Sequence, residues 1–229
     1  MKTRVGMITI GQAPRVDVVP DMAEVMGPGV EIVERGALDG HTREEIAALA
    51  PGPDDGVLVT RLADGSSVFV AKRHVTPRVQ ARIEELEAEE VALTVLLCTG
   101  AFPALRASRP LVEPDRVLRG VLSGITWQGR LGVLTPSGRH VAQTEARWRG
   151  YGFDPVVVPL SPYDGPARAE PAAADEAAAA LRAGGAGLVL MDCVGFRRPA
   201  RDRLRAALGV PVVVANLLVA RVVAELAGA

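Results

Sequence analysis

The feature that most constrains this chain is a regular alternation of short apolar runs with longer amphipathic stretches. The runs lie near residues 4–10, 30–35, 92–98, 130–135, 154–159, 187–192 and 211–215. They have the length of buried strands rather than of helices. Helical periodicity fits residues 14–26, 42–49, 73–90, 114–125, 138–150, 171–184, 198–208 and 216–228. Parallel strands need a crossover between them, so this alternation specifies βα units and mainly parallel sheets. The stretch 171–184 carries the expected punctuation, with Pro171 at its first turn and Gly184-Gly185 at its end.

One segment departs from the pattern. The β-rich runs 57–62 and 67–71 flank Ala63-Asp64-Gly65-Ser66, and an Asp-Gly turn between such runs predicts a β-hairpin. With the hairpin set aside, a weak internal repeat emerges. Ile8-Thr9-Ile10-Gly11-Gln12-Ala13-Pro14 and Leu131-Gly132-Val133-Leu134-Thr135-Pro136-Ser137-Gly138 each end a strand in a polar turn. Each half later supplies a strand ending in cysteine, Cys98 or Cys193, and the first half is longer by about thirty residues. The expected fold is therefore α/β: two similar doubly wound half-domains with mainly parallel sheets, a cleft between them, and a hairpin insertion in the first. The halves are expected at 1–112, with the hairpin near 57–71, and at 113–215. A terminal helix at 216–229 is expected to pack on the first half.

Composition narrows the function classes. Only 3% of residues are aromatic, so aliphatic side chains must fill the core. The formal net charge is −1 and no basic stripe stands out, which leaves nucleic-acid binding without an electrostatic footprint. No apolar stretch reaches the length of a membrane span. The opening Met1-Lys2-Thr3-Arg4 runs into a strand rather than a signal peptide. Two cysteines in such a chain suggest free thiols in a reducing compartment, hence a cytoplasmic setting.

Those cysteines stand where buried strands run out into glycine-containing loops: Leu97-Cys98-Thr99-Gly100 and Asp192-Cys193-Val194-Gly195. Ligands of open α/β sheets bind at the carboxyl ends of the strands. A lone cysteine there is by default a small apolar residue filling space. Two at matching places of two similar halves suggest a pair of acid/base groups. A free thiol ionises near pH 8.5, and nearby N–H groups or cations lower that value, so one thiol can take a proton and another give one. A thiolate can also add to an activated carbonyl or double bond. No CxxC or histidine cluster accompanies either thiol, which disfavours a metal site.

Neighbouring loops fit an anionic ligand. Gly11, Gly100, Gly138 and Gly195 permit close backbone approach, and loops entering helices present N–H groups to carboxylates. Gln12 and Asn216 stand just after strand ends and join them as candidates. Among cations, arginine suits a carboxylate best. Arg15 follows the first strand, Arg61 interrupts an apolar strand beside the hairpin turn, Lys72-Arg73 follows the hairpin, and Arg197-Arg198 follows the second cysteine. Asp192 is read as loop support. His41, His74 and His140 are read as solvent-facing, with His140 nearest the strand edge. The opening Gly6-Met7-Ile8-Thr9-Ile10-Gly11 lacks the G-x-G-x-x-G spacing of dinucleotide sites. Gly-x-Ser-x-Gly and P-loop patterns are absent as well.

The run Leu190-Met191-Asp192-Cys193-Val194-Gly195-Phe196, followed by Arg201-Asp202 and Val210-Pro211-Val212-Val213-Val214-Ala215-Asn216, resembles the AroM family. So do Thr9-Ile10-Gly11-Gln12-Ala13-Pro14-Arg15, Val19-Pro20, Arg43-Glu44-Glu45, the hairpin and Arg73. The likeness spans nearly the whole chain. More distantly it is similar to the aspartate/glutamate racemase superfamily, whose members work without a cofactor. That resemblance implies Cys98 and Cys193 as catalytic thiols, with Thr99, Gly100, Ser137 and Gly195 as carboxylate-binding residues. The triplets differ from the racemase Cys-Asn-Thr and Gly-Cys-Thr, so amino-group recognition does not carry over.

The expectation is a cofactor-independent racemase- or isomerase-like enzyme acting on a small carboxylate or other anionic metabolite through two cysteines. The alternative is a non-catalytic metabolite-binding or regulatory protein on the same fold. Neither nucleic acid nor membrane is an expected partner, and a homodimer is the expected assembly if the chain associates.

Overall fold

A computed structural model of the chain describes residues 2–163 and 171–228. It divides into two compact units, Met1–Val117 with Val219–Ala229, and Leu118–Leu218.

The first unit carries β1 (Thr3–Thr9), α1 (Val19–Met26), β2 (Val30–Gly36), α2 (Arg43–Ala47), β3 (Val57–Arg61), β4 (Ser67–Ala71), α3 (Lys72–Ala88), β5 (Leu93–Leu97) and β6 (Leu111–Val112). Its parallel sheet has the order β2-β1-β5-β6, and β3-β4 form a separate antiparallel pair. The hairpin register pairs Val57 with Ala71 and Arg61 with Ser67, leaving Asp64-Gly65 at the tip. Leu58, Leu62 and Val70 of the hairpin join Ile8, Ile10, Val79, Ile83 and Leu96 in one aliphatic core.

The second unit takes most of α4 (Pro114–Ser123), then β7 (Arg130–Thr135), α5 (Val141–Gly150), β8 (Pro155–Pro159), α6 (Pro171–Ala183), β9 (Ala186–Met191), α7 (Arg198–Leu208), β10 (Val212–Val214) and the start of α8 (Ala215–Ala227). Its sheet, again parallel, has the order β10-β9-β7-β8. Proline at both ends of β8 suits an edge strand, which has a ladder bond to spare. Trp148 is wholly buried against Leu131, Val133, Leu188 and Leu190, and Phe153 meets its ring edge-on at 5.4 Å.

Numbered within each unit and leaving the hairpin out, both sheets read 2-1-3-4. The order reverses between the first and third strands, β1 and β5 in one unit and β7 and β9 in the other. That reversal opens the crevice outside the carboxyl ends of the two strands. The units repeat in detail as well. Gly6 and Gly132 each lie three residues before the strand-end threonine. A Cβ there would stand 2.7 Å from Leu86 Cδ1 and 2.9 Å from Leu181 Cδ2, so each glycine lets a helix leucine sit directly on the first strand.

Two local departures from the sequence expectations have plain causes. Helix α1 begins at Val19 rather than near residue 14, because the turn Arg15–Val18, closed by the Val18 and Val19 N–H groups on the Arg15 carbonyl, precedes it. Residues 138–140 form a single 3-10 turn before α5 starts. Among the described residues, no helix is long and apolar enough to cross a membrane.

Candidate functional site

In the first unit the edge is built from the turns after β1 and β5. Thr9 pairs with Leu97, and Cys98 follows immediately. Cys98 is a free thiol, 8% exposed, and its Sγ accepts the Gly100 N–H at 3.4 Å. Gly100 is half-buried beside Leu58, and Thr99 is buried.

The loop after β1 is locked by its own polar groups. Thr9 Oγ1 accepts from the Gly11 N–H at 3.2 Å and from Arg15 Nη1 at 3.1 Å. Arg15 is 2% exposed, and its Nε and Nη2 donate to the two carboxylate oxygens of Asp17 at 2.8 and 3.0 Å. Burial opposes ionisation of Asp17, but the bonds and charge of Arg15 outweigh it and hold its pKa below the ordinary value. Arg15 is thus engaged within the protein. Gln12 serves the same loop: its Nε2 donates to the Leu38 and His41 carbonyls at 3.3 and 3.4 Å, and its Oε1 accepts the Ala63 N–H at 2.9 Å. Gly11 is needed for close approach, since a Cβ there would lie 2.2 Å from the Arg61 carbonyl oxygen.

The equivalent edge of the second unit gathers residues from all four strands. β7 ends at Thr135 and leads to Ser137, whose Oγ lies 2.8 Å from His140 Nδ1. His140 is buried, where the sequence reading had it facing solvent. Burial first, then the charge of Arg139, lowers its pKa to about 4, so the ring is neutral at pH 7. Cys193, after β9, is a free thiol 6% exposed, and its Sγ lies 3.4 Å from the hydroxyl of Tyr163 in the segment after β8. Asn216, after β10, donates through Nδ2 to the Val194 carbonyl at 2.8 Å and the Phe196 carbonyl at 3.0 Å. It therefore clamps the turn that contains Gly195.

Asp192 Oδ2 accepts from Arg147 and, at 2.9 Å, from the indole Nε1 of Trp148. This buried carboxylate thus ties the strand carrying Cys193 to α5. Arg61 donates to the Gly65 carbonyl within the hairpin turn, and Arg73 holds Asp55 through bonds of 2.6 and 3.0 Å. Arg198 opens α7, just after Arg197.

Sequence reasoning missed Tyr163 and the Ser137–His140 contact. Tyr163 carries no motif. Its signal is positional: a polar aromatic residue shortly after a parallel strand, where each carboxyl end is a place for ligand-facing groups.

The comparisons with known proteins agree with this architecture. Over 99% of this chain and 88% of the other, the fold is similar to allantoin racemase from Klebsiella pneumoniae, with a TM-score of 0.65 and 17% identity. Unliganded arylmalonate decarboxylase matches with a TM-score of 0.63 and 17% identity, over 99% of this chain and 93% of that one. Aspartate racemase from Picrophilus torridus matches with 0.58 and 13%, over 99% and 94%. No curated protein is matched by sequence. The family described as AroM protein matches residues 5–227, and this chain belongs to it.

Proposed function

We propose that this protein is a cofactor-independent racemase- or isomerase-like enzyme acting on a small carboxylate, with Cys98 and Cys193 as its acid/base pair. One thiolate removes the proton on the carbon next to the carboxylate, and the other thiol returns a proton to the opposite face. The observation that carries the reading is the equivalence of the two thiols. Each follows the third strand of a 2-1-3-4 sheet at its reversal point, is buried, and has a hydrogen-bonding neighbour: the Gly100 N–H for Cys98 and the Tyr163 hydroxyl for Cys193. A packing role needs neither the repetition nor the polar neighbours. Structural similarity to racemases and a decarboxylase supports the same class of chemistry. The Ser137 hydroxyl and the N–H groups of the Thr99 and Gly195 turns are the proposed carboxylate ligands.

The test is proton NMR in D₂O with a panel of small dicarboxylates, hydroxy acids and amino acids. A substrate gains solvent deuterium at the carbon beside its carboxylate. Replacing either cysteine with alanine is expected to slow that exchange by about 10²–10⁴-fold while the fold survives. Full exchange in both variants refutes the two-thiol chemistry. If no compound in the panel exchanges but one raises the melting temperature, the protein binds its ligand without turnover.

A further inference from the structure

Building on the catalytic reading of Cys193, we propose that Tyr163 is its positioning residue: the phenol O–H donates to Sγ and holds the group as a thiolate, and Gly195 is glycine to seat that phenol. Tyr163 Oη lies 3.4 Å from Cys193 Sγ. A free thiol ionises near pH 8.5 and a phenol near 10. When the pair loses one proton, the thiol therefore gives it up and the phenol remains the donor. A hydrogen bond to the charged form favours that form.

Gly195 supplies the second, independent observation. A Cβ at this position would stand 2.5 Å from Tyr163 Cε1, 2.8 Å from Cζ and 2.9 Å from Oη. The ring lies directly on the glycine, at the end that bears the hydroxyl. Gly195 is not among the residues with positive φ, so its backbone angle does not call for glycine and the seat for the ring does. The turn beneath is fixed by Asn216, whose Nδ2 holds the carbonyls on both sides of Gly195. Sulfur, phenol and turn thus form one unit in which each part sets the position of the next.

Among the described residues, the titratable and charged groups that adjoin this strand end in sequence or through a bond include Asp192, its partner Arg147 on α5, and Arg139 and His140 after β7. Arg197 and Arg198 follow the turn. Asp192 and Arg147 are paired, and His140 is neutral at pH 7. Removing the phenol oxygen alters the charge of none of them, so a change in thiol ionisation reports the phenol.

The experiment is a pH titration by NMR of protein carrying ¹³Cβ-labelled cysteine. With two cysteines in the chain, Cys98→Ala assigns both signals. Tyr163→Phe is expected to lower the thiolate fraction of Cys193 at neutral pH by about tenfold, the scale of a hydrogen bond to a charged group, and to leave Cys98 unmoved. Gly195→Ala keeps the hydroxyl but unseats the ring, and is expected to move Cys193 in the same direction. The double variant should move it no further than the larger single one. An unchanged Cys193 titration in folded Tyr163→Phe, or in Gly195→Ala if the first variant fails to fold, overturns the proposal. The titration needs no substrate. Turnover surviving in Cys193→Ala refutes the catalytic reading, whereas an unmoved titration refutes the role of Tyr163 alone.

Discussion

His140 shows how far a single residue can depart from what its neighbours in sequence suggest. It sits between Arg139 and a helix start, yet its ring is buried and bonded to Ser137. Its folded pKa of about 4 lies below the ordinary 6.5, so the unfolded chain binds the extra proton first. Stability from this group is complete above pH 6.5 and is lost as pH falls from about 6.5 to about 4. The loss is about 3 kcal/mol at most. Urea unfolding between pH 7 and 4 should show that decline. His140→Asn, which cannot take up a proton, should flatten it, and equal declines in both proteins would remove His140 as the cause. Burial also explains why the sequence misplaced this histidine: nothing in Ser137-Gly138-Arg139-His140 shows which strand ends close over the ring. The partner of Arg15 was no more legible in the sequence. Its position after a strand fits an anion ligand, but Asp17, two residues on, bonds it bidentately inside the protein.

Among the elements, the hairpin was the clearest from sequence. Asp64-Gly65 between two β-rich runs predicts its presence, and the turn is the three-residue loop Ala63–Gly65 closed by the Leu62 N–H on the Ser66 carbonyl, in which Gly65 alone takes the positive φ, 81°. What the hairpin rests on was not legible. Gly11, a candidate ligand-loop glycine in sequence, is also the point where the Arg61 carbonyl approaches the first strand's loop. Gly11→Ala places a methyl 2.2 Å from that carbonyl and 2.4 Å from Thr60 Oγ1, and a backbone atom cannot yield without moving the hairpin. The expected cost is about 1–3 kcal/mol, the range for overpacking. Calorimetry should show it as a fall of several degrees in melting temperature, about 2–4 °C per kcal/mol for this size. Hydrogen exchange should quicken at the amide of Ala63, which Gln12 Oε1 now accepts. Unaltered protection of Ala63 would mean that the hairpin does not depend on this approach.

On the scale of the whole molecule, the functional reading makes one prediction that does not need turnover. A carboxylate that binds only the native state at a hundred times its Kd stabilises the protein by about 2.7 kcal/mol. For a chain of this length that is a rise of about 5–10 °C in melting temperature. Ser137→Ala should shrink the rise by removing one proposed ligand, and an undiminished rise takes Ser137 out of the site. The sequence by itself determined the alternation of strands and helices, the hairpin, the repeat of two α/β halves and the placing of one cysteine at the end of a strand in each. Those are properties of local periodicity and turn chemistry, which neighbouring residues settle. Only the tertiary structure decided the 2-1-3-4 order that sets both thiols at reversal points, the pairing of Arg15 with Asp17, the burial of His140, and the seat of Tyr163 on Gly195. Each of these depends on groups far apart in the chain, and a buried polar side chain must bond whichever partner packing brings to it.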